Sequence, residues 1–158
     1  MSDSQETVIC TIHSPMNGKV YSLEDVPDPA FARGMIGEGI AIEPEDGVVY
    51  APVDGTIQSV FETEHAIVFE NDDHVKLLLH IGIGTMRLQG EGFTAHVETG
   101  QQVKKGDRLM SLDLNGIRKK AESMISPIVM TEPRKTCRIR VLADKEVSVG
   151  DAIFEVIQ

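Results

Sequence analysis

The chain has 158 residues, of which 41% are hydrophobic and 25% are charged, a composition typical of one globular domain with a sizeable core. Its 25 acidic residues outnumber the 15 basic ones, and the net charge is −10. With no Trp and no basic tract, this balance argues against nucleic acid as a partner. An acidic surface suits a basic protein partner, and the alternative is that most of the charge only aids solubility.

From the sequence we expect neither a membrane span nor a secretion signal. A run of about 18 apolar residues is absent, so we expect no direct membrane insertion. Residues 1–7 are polar and acidic and predict a flexible leader without a secretory segment. Cys10 and Cys137 are far apart in sequence, and in the cytosol we expect them to be free thiols. We therefore expect a cytoplasmic protein.

Two short motifs each occur twice. Residues 14–22 (SPMNGKVYS) recur 37 positions later at 51–59 as APVDGTIQS. Residues 103–109 (VKKGDRL) recur at 147–153 as VSVGDAI. The shared Pro and Gly positions predict turns that lead into strands. Duplicated short strands of this kind predict an all-β fold, either a barrel or a sandwich.

Helix is scarce in the predicted fold, which has one or two short helical turns. Residues 27–34 predict one of them, with Asp28 as the N-cap and Pro29 at the first helical position. Residues 115–124 predict the other, because Ile117 and two later apolar residues have helical spacing.

A hairpin is predicted around the polar cluster NDDH, because apolar runs flank it on both sides. A turn centred between Asp72 and Asp73 would place His65 directly opposite His80, with Cβ atoms about 4.5–5.5 Å apart. A one-residue bulge would instead put the two rings on opposite faces. Two facing imidazoles cannot both become charged cheaply, so the pair favours phosphoryl or proton chemistry, or a metal. His74 lies in the turn and is expected to be solvated.

Several sequence blocks around this pair carry a family resemblance. They are EDVPD at 24–28, GEGIAI at 37–42, APVDGTI at 51–57, FETEHA at 61–66, LHIGIGT at 79–85 and LQGEGF at 88–93. In this order they resemble the glucose-type enzyme IIA, the phosphocarrier of the bacterial sugar phosphotransferase system, over roughly residues 14–157. The resemblance implies a single enzyme IIA domain over residues 1–158. It also implies a duplicated hybrid motif folded as a barrel-sandwich-like antiparallel β-sandwich.

The resemblance also implies a phosphotransferase with a phosphohistidine intermediate. It assigns His80 as the phosphoryl acceptor through its Nε2 atom and His65 as the residue that stabilises the phosphoryl group. Thr63 would orient the ring of His65, and the backbone of Gly82 would orient that of His80. Such an arrangement suits phosphoryl transfer, which depends mainly on positioning and electrostatics.

A partner-binding surface around the two rings is implied by the same resemblance. Its predicted members are Asp28, Ala30, Phe31, Met35, Ile36, Phe61, Leu78, Gly84 and Met86. The family usually has an acidic residue at the position of Gly84, so the rim of this surface lacks one charge. The implied partners are the histidine-containing phosphocarrier protein as donor and a IIB domain of a sugar permease as acceptor.

No cofactor and no metal are required by this reading, although His65 and His80 could bind adventitious zinc. A zinc hydrolase would need His-x-x-x-Asp and His-x-His spacings, and the sequence has neither. A biotinyl or lipoyl carrier would need an exposed lysine, for which Lys145 is the one weak candidate. A regulatory protein that binds partners according to its phosphorylation state is the alternative function. His13 and His96 match no motif and are expected at the surface.

Overall fold

A computed structural model of the chain describes residues 6–131 and 137–158. Its regular elements are mostly short strands, with little helix. The strands are β1 (Val8–His13), β2 (Gly18–Ser22), β3 (Glu38–Pro44), β4 (Val48–Tyr50), β5 (Gly55–Val60), β6 (Ala66–Glu70), β7 (Lys76–His80), β8 (Phe93–Ala95), β9 (Gln102–Val103), β10 (Arg108–Leu112), β11 (Ser126–Thr131), β12 (Arg138–Val141), β13 (Glu146–Val147) and β14 (Ala152–Ile157). The helices are α1 (Pro29–Ala32) and α2 (Leu114–Lys120), with 3-10 turns at Leu23–Asp25 and Met86–Leu88.

The strands form three antiparallel sheets. Their orders are β1-β14-β12, β4-β10-β8 and β13-β2-β3-β11-β7-β6-β5-β9. Successive residues of a strand point to opposite faces, so Leu77 and Leu79 of β7 enter the main core, whereas Leu78 and His80 lie on the other face. The predicted all-β fold, an antiparallel β-sandwich with short helical turns, is confirmed.

The duplicated motifs occupy equivalent places in the fold. In each copy, the residue before the proline exchanges two backbone hydrogen bonds of 2.8–3.1 Å with the Gly-Asp pair of the second motif. The residues are Ser14, Gly150 and Asp151 in one copy and Ala51, Gly106 and Asp107 in the other. Both glycines have φ of 90°, a conformation that favours glycine. The repeated sequence therefore encodes the same turn twice.

Two further hydrogen bonds link the copies to each other. The N–H of His13 donates to the carbonyl of Pro52 at 3.0 Å, and the N–H of Tyr50 donates to that of Pro15 at 2.7 Å. The two proline-containing segments, one from each copy, are therefore hydrogen-bonded to each other's flanking strands.

Both predicted helical turns are present. Asp28 caps α1 by accepting a hydrogen bond from the N–H of Ala30 at 2.9 Å, as expected of an N-cap. Asp113 caps α2, which ends earlier than predicted, because Ala121 is extended with ψ of 154°. None of the helices in the described ranges is long and apolar enough to cross a membrane.

The predicted leader continues into the β1-β14-β12 sheet. Thr7 exchanges two backbone hydrogen bonds with Gln158, at 3.0 and 2.9 Å. The carboxylate of Glu6 pairs with Arg138 and Arg140, at 2.5 and 2.8 Å. Residues 1–5 of the leader lie outside the described residues.

The β6–β7 hairpin has a register that differs from the predicted one. Ala66, and not His65, is the residue paired with His80. The connecting loop is longer than a turn centred on its two aspartates, and His74 in it takes a left-handed φ of 62°. Asn71 closes this loop, because its Oδ1 accepts hydrogen bonds from two backbone N–H groups of the loop, at 2.9 and 3.0 Å. The prediction that His65 lies opposite His80 is therefore wrong.

Candidate functional site

The rings of the two histidines nevertheless touch. Their centroids are 4.8 Å apart, and the ring planes meet at 85°. His80 is the last residue of β7, whereas His65 lies just outside β6. The preceding residue, Glu64, has a left-handed φ of 57°. This turn takes His65 out of the regular alternation of the strand, so its ring can reach His80 without being paired with it.

The turn before β6 is held by hydrogen bonds at both ends. The N–H of Glu64 donates to the carbonyl of Phe61 at 2.7 Å, and the N–H of Phe61 donates to that of Ala66 at 3.1 Å. The Glu64 carboxylate accepts a hydrogen bond from the N–H of Ala95 at 2.9 Å, so β8 fixes the turn from outside. Sequence reasoning missed Glu64, because a left-handed glutamate carries no local sequence signal.

His65 is enclosed and neutral. The residue is 2% exposed, and its Nδ1 lies 2.5 Å from Oγ1 of Thr63, the residue expected to orient its ring. Burial, and secondly the nearby His80 ring, lowers the pKa of His65 to about 4. The ring therefore carries a single N–H at neutral pH.

His80 is held in one tautomer. Its Nδ1–H donates to the carbonyl oxygen of Gly82 at 2.8 Å, since a carbonyl can only accept. Burial lowers the pKa of His80, and the bond to Gly82 and the charge of Asp28 oppose that effect. In the neutral ring, the proton on Nδ1 leaves Nε2 with a lone pair, which is the state of a nucleophile.

The backbone of the following loop is fixed by buried hydroxyl groups. The N–H of Gly82 donates to Oγ of Ser126 at 3.0 Å, and that hydroxyl donates to the carbonyl of Met124 at 2.8 Å. Thr85 donates its hydroxyl hydrogen to the carbonyl of Ile81 at 2.6 Å. Sequence reasoning missed both hydroxyl residues. The Ser-Pro pair that begins β11 was the available signal for Ser126.

Gly82 is required by this geometry. Its φ is 69°, and a Cβ atom there would lie 2.8 Å from Cγ2 of Thr85 and 3.0 Å from the carbonyl oxygen of Ser123. Any other residue would move the carbonyl that orients His80.

Aromatic side chains pack against both rings. The ring centroid of Phe31 is 5.2 Å from that of His80, and the ring centroid of Phe61 is 5.5 Å from that of His65. Phe31 is buried in a small cluster with Ile83, on which the half-buried Leu78 packs. Phe31 therefore packs directly against the ring of His80, and Leu78 packs on the cluster that holds Phe31.

The large apolar side chains among the other predicted members of the partner-binding surface are exposed. Met35 is 73% exposed, Met86 63%, Phe61 40% and Ile36 36%. Ala30 is half-buried on α1. This exposure is unusual for large apolar side chains and is typical of a docking surface.

The rim positions are half-buried. Asp28 caps α1 and acts on the charge state of His80. Gly84 has a left-handed φ of 75° in the loop after His80.

The remaining histidines lie away from this pair. His74 and His96 are exposed, as predicted, whereas His13 is half-buried. Within residues 6–131 and 137–158, no group of three or more His, Cys, Asp or Glu residues is arranged to hold a metal ion.

Comparison with known proteins agrees with these features. The family model described as the phosphoenolpyruvate-dependent sugar phosphotransferase system, EIIA 1, matches residues 10–136. The PTS system glucose-specific EIIA component of Oceanobacillus iheyensis is 45% identical over 148 residues, which cover 93% of this chain and 90% of that protein. The solved structure of glucose permease IIA from Mycoplasma capricolum aligns with a TM-score of 0.87 at 34% identity, with 94% of each chain covered. The chain therefore belongs to the glucose-type enzyme IIA family of the phosphoenolpyruvate-dependent sugar phosphotransferase system.

Proposed function

We propose that this enzyme IIA accepts a phosphoryl group on Nε2 of His80 from the histidine-containing phosphocarrier protein. It then passes the group to a IIB domain of a sugar permease during sugar uptake in the cytoplasm. The observation that carries this proposal is the 2.8 Å hydrogen bond from Nδ1–H of His80 to Gly82, which leaves Nε2 available for attack.

The transfer step needs no base and no cofactor. The lone pair on Nε2 of His80 attacks phosphorus in line, while the N–P bond of the donor breaks and its electron pair returns to the donor ring. No proton leaves Nε2, because the neutral ring carries its hydrogen on Nδ1. With that hydrogen retained, the phosphorylated ring is cationic, which weakens the new N–P bond. Onward transfer to the IIB domain is thereby favoured.

His65 is the group that stabilises the phosphoryl oxygens in this proposal. When the hydroxyl of Thr63 donates to Nδ1 of His65, the ring hydrogen lies on Nε2, where it can donate to the phosphoryl group. Thr63 therefore acts as a positioning residue for His65. A donor fixed before the group arrives lowers the barrier without reorganisation during transfer.

The exposed apolar side chains of the partner-binding surface support both docking and protection from water. Met35, Phe61 and Met86 would cover the phosphohistidine when a partner is bound and keep water from the labile bond. The same surface favours the second candidate function, a regulatory protein whose partners distinguish its phosphorylation states. Equal affinity of every partner for the phosphorylated and unphosphorylated forms would contradict that second role.

The proposal is tested by incubation with enzyme I, the phosphocarrier protein and phosphoenolpyruvate. The phosphosite is then mapped at neutral to alkaline pH, where phosphohistidine survives. We expect full labelling of the wild type at His80 and none of His80→Ala. His74→Asn is the matched control, because it removes an exposed histidine and asparagine tolerates the left-handed backbone there. Labelling of His80→Ala at the wild-type level would overturn the assignment.

A further inference from the structure

The side chain of Glu122 lies directly over Gly84. A Cβ atom built on Gly84 would lie 2.9 Å from Cγ of Glu122 and 3.2 Å from its Cδ. The carboxyl end of Glu122 thus occupies the space into which a side chain at position 84 would extend. Gly84 permits this placement because it has no side chain of its own.

The backbone of Glu122 is tied to the loop after His80. Its N–H donates to the carbonyl of Ile83 at 2.9 Å, and the N–H of Ile83 donates to the carbonyl of Ser123 at 2.8 Å. These bonds, with the bridge between Ile83 and Ser123, fix Glu122 beside Gly84. The main chain therefore fixes where the side chain of Glu122 starts, next to Gly84.

The carboxylate of Glu122 is exposed and forms no ion pair within the described parts of the chain. Two basic residues linked to the end of α2 are engaged elsewhere, and neither Arg118 nor Lys119 forms an ion pair with Glu122 in the described parts of the chain. Lys120 pairs with Glu91 at 2.6 Å, and the Arg87 guanidinium donates to the carbonyl of Lys120 at 2.5 Å. Glu122 therefore presents a carboxylate that no described ion pair neutralises, beside Gly84 in the loop after His80.

We propose that Glu122 supplies the rim carboxylate that position 84 lacks, and that a phosphocarrier with a basic docking face meets Glu122 together with Asp28. This inference rests on the proposed function, since it assigns a partner to the same site. Charge complementarity supports it, because the chain carries a net charge of −10, Asp28 acts electrostatically on His80, and Glu122 lies against Gly84 in the loop after His80. A rim charge acts mainly on the rate of association.

The first test measures phosphoryl transfer from the phosphorylated phosphocarrier protein to Glu122→Gln, which keeps the shape and removes the charge. We expect the second-order rate constant to fall about threefold or more at low salt, and the difference from the wild type to shrink as salt is added. The first-order rate in the saturated complex should stay unchanged. Glu146→Gln is the matched control, since it removes the same charge from the edge strand β13.

A second test restores the charge from the other position. In the double variant Gly84→Asp, Glu122→Gln, the low-salt rate constant should recover towards the wild-type value. The single variant Gly84→Asp should have a lower Tm than expected from its left-handed backbone alone, because its side chain displaces Glu122. Replacing Glu122 by alanine in that background should recover part of the loss, which is the coupling expected of two residues in contact.

The outcomes separate this inference from the proposed function. If His80 is labelled but Glu122→Gln matches the wild type and Glu146→Gln at every salt concentration, the assignment of Glu122 is overturned and the phosphocarrier role stands. If the wild type is not labelled at all, the proposed function itself fails. A rate loss in Glu122→Gln that does not depend on salt would also contradict a steering role.

Discussion

His65 and His80 meet edge to face at 4.8 Å, although the backbone pairs His80 with Ala66. A second positive charge at this distance is unfavourable, which is one cause of the lowered pKa of His65. Burial and the short distance between the two rings therefore both keep the pair in its neutral state. Its charge state can be followed through stability, rates and spectroscopy.

The stability of the fold should fall as pH decreases from about 6.5 to about 4. The pKa of His65 is about 4 in the folded chain and 6.5 ordinarily, so the unfolded chain binds more protons in that window. This residue then removes at most about 3 kcal/mol of unfolding free energy by pH 4, and its effect fades above about pH 7.5. His80, whose pKa is also lowered, acts in the same direction.

Urea unfolding at several pH values measures this effect. His65→Gln should be less sensitive to pH between 4 and 6.5 than the wild type, whatever its absolute stability. Parallel pH profiles for the two proteins would mean that His65 is not held neutral by the fold.

Removal of the His65 ring should slow transfer without moving the phosphosite. We expect His65→Ala to lower the rates of arrival and departure by about 10²–10³-fold, by analogy with the loss of a fixed oxyanion donor. Rapid-quench measurements in both directions check this, with His74→Asn as the control. Rates within a few-fold of the wild type would exclude His65 from the transfer step.

Thr63 should act through the tautomer of its neighbour. Thr63→Val keeps the shape but removes the hydroxyl that lies 2.5 Å from Nδ1 of His65. A loss of about tenfold in transfer rate is expected, as for other groups that orient a functional histidine. Nitrogen-15 NMR should report a shift of His65 away from the tautomer with hydrogen on Nε2. An unchanged tautomer with a lower rate would contradict a positioning role.

Ser126 should matter for both stability and orientation. Ser126→Ala leaves the buried N–H of Gly82 without its acceptor, and we expect a loss of about 1–3 kcal/mol in unfolding free energy. The rate of transfer should also fall, since Gly82 holds the ring of His80. Ser111→Ala is the control, because that hydroxyl bonds the exposed His96 instead. Equal stability of the two variants would show that the Gly82 bond is unimportant.

Much of the fold could be predicted because its signals are local. The duplicated Pro and Gly motifs encode two equivalent turns, and Asp28 caps α1 through its own side chain. The end of α2 could not be placed, because Ala121 has the right spacing and high helix propensity but is extended in the structure. After Ala121 the chain pairs with Ile83 through the bridge at Ser123. This is a tertiary contact, which helix propensity does not report.

The site could be predicted in its members but not in its geometry. The contact between the rings was expected from a hairpin register that turned out to be wrong, and it arises from the left-handed turn at Glu64 instead. That turn depends on a hydrogen bond to Ala95, remote in sequence. Likewise, the charge missing at Gly84 led to no prediction for Glu122, since only the folded chain brings them together.

The hydrogen bond that holds the backbone of Gly82 is made within the same molecule, to Ser126, and does not depend on a partner. A docking protein would therefore meet a site whose backbone is already ordered, and under the proposed function the phosphoryl group would find the same arrangement on arrival and on departure. By microscopic reversibility, contacts that lower the barrier for transfer from one partner lower it equally for return to that same partner. Under the proposed function, transfer with each partner is then readily reversible, and the phosphorylated fraction would follow the balance between supply and demand.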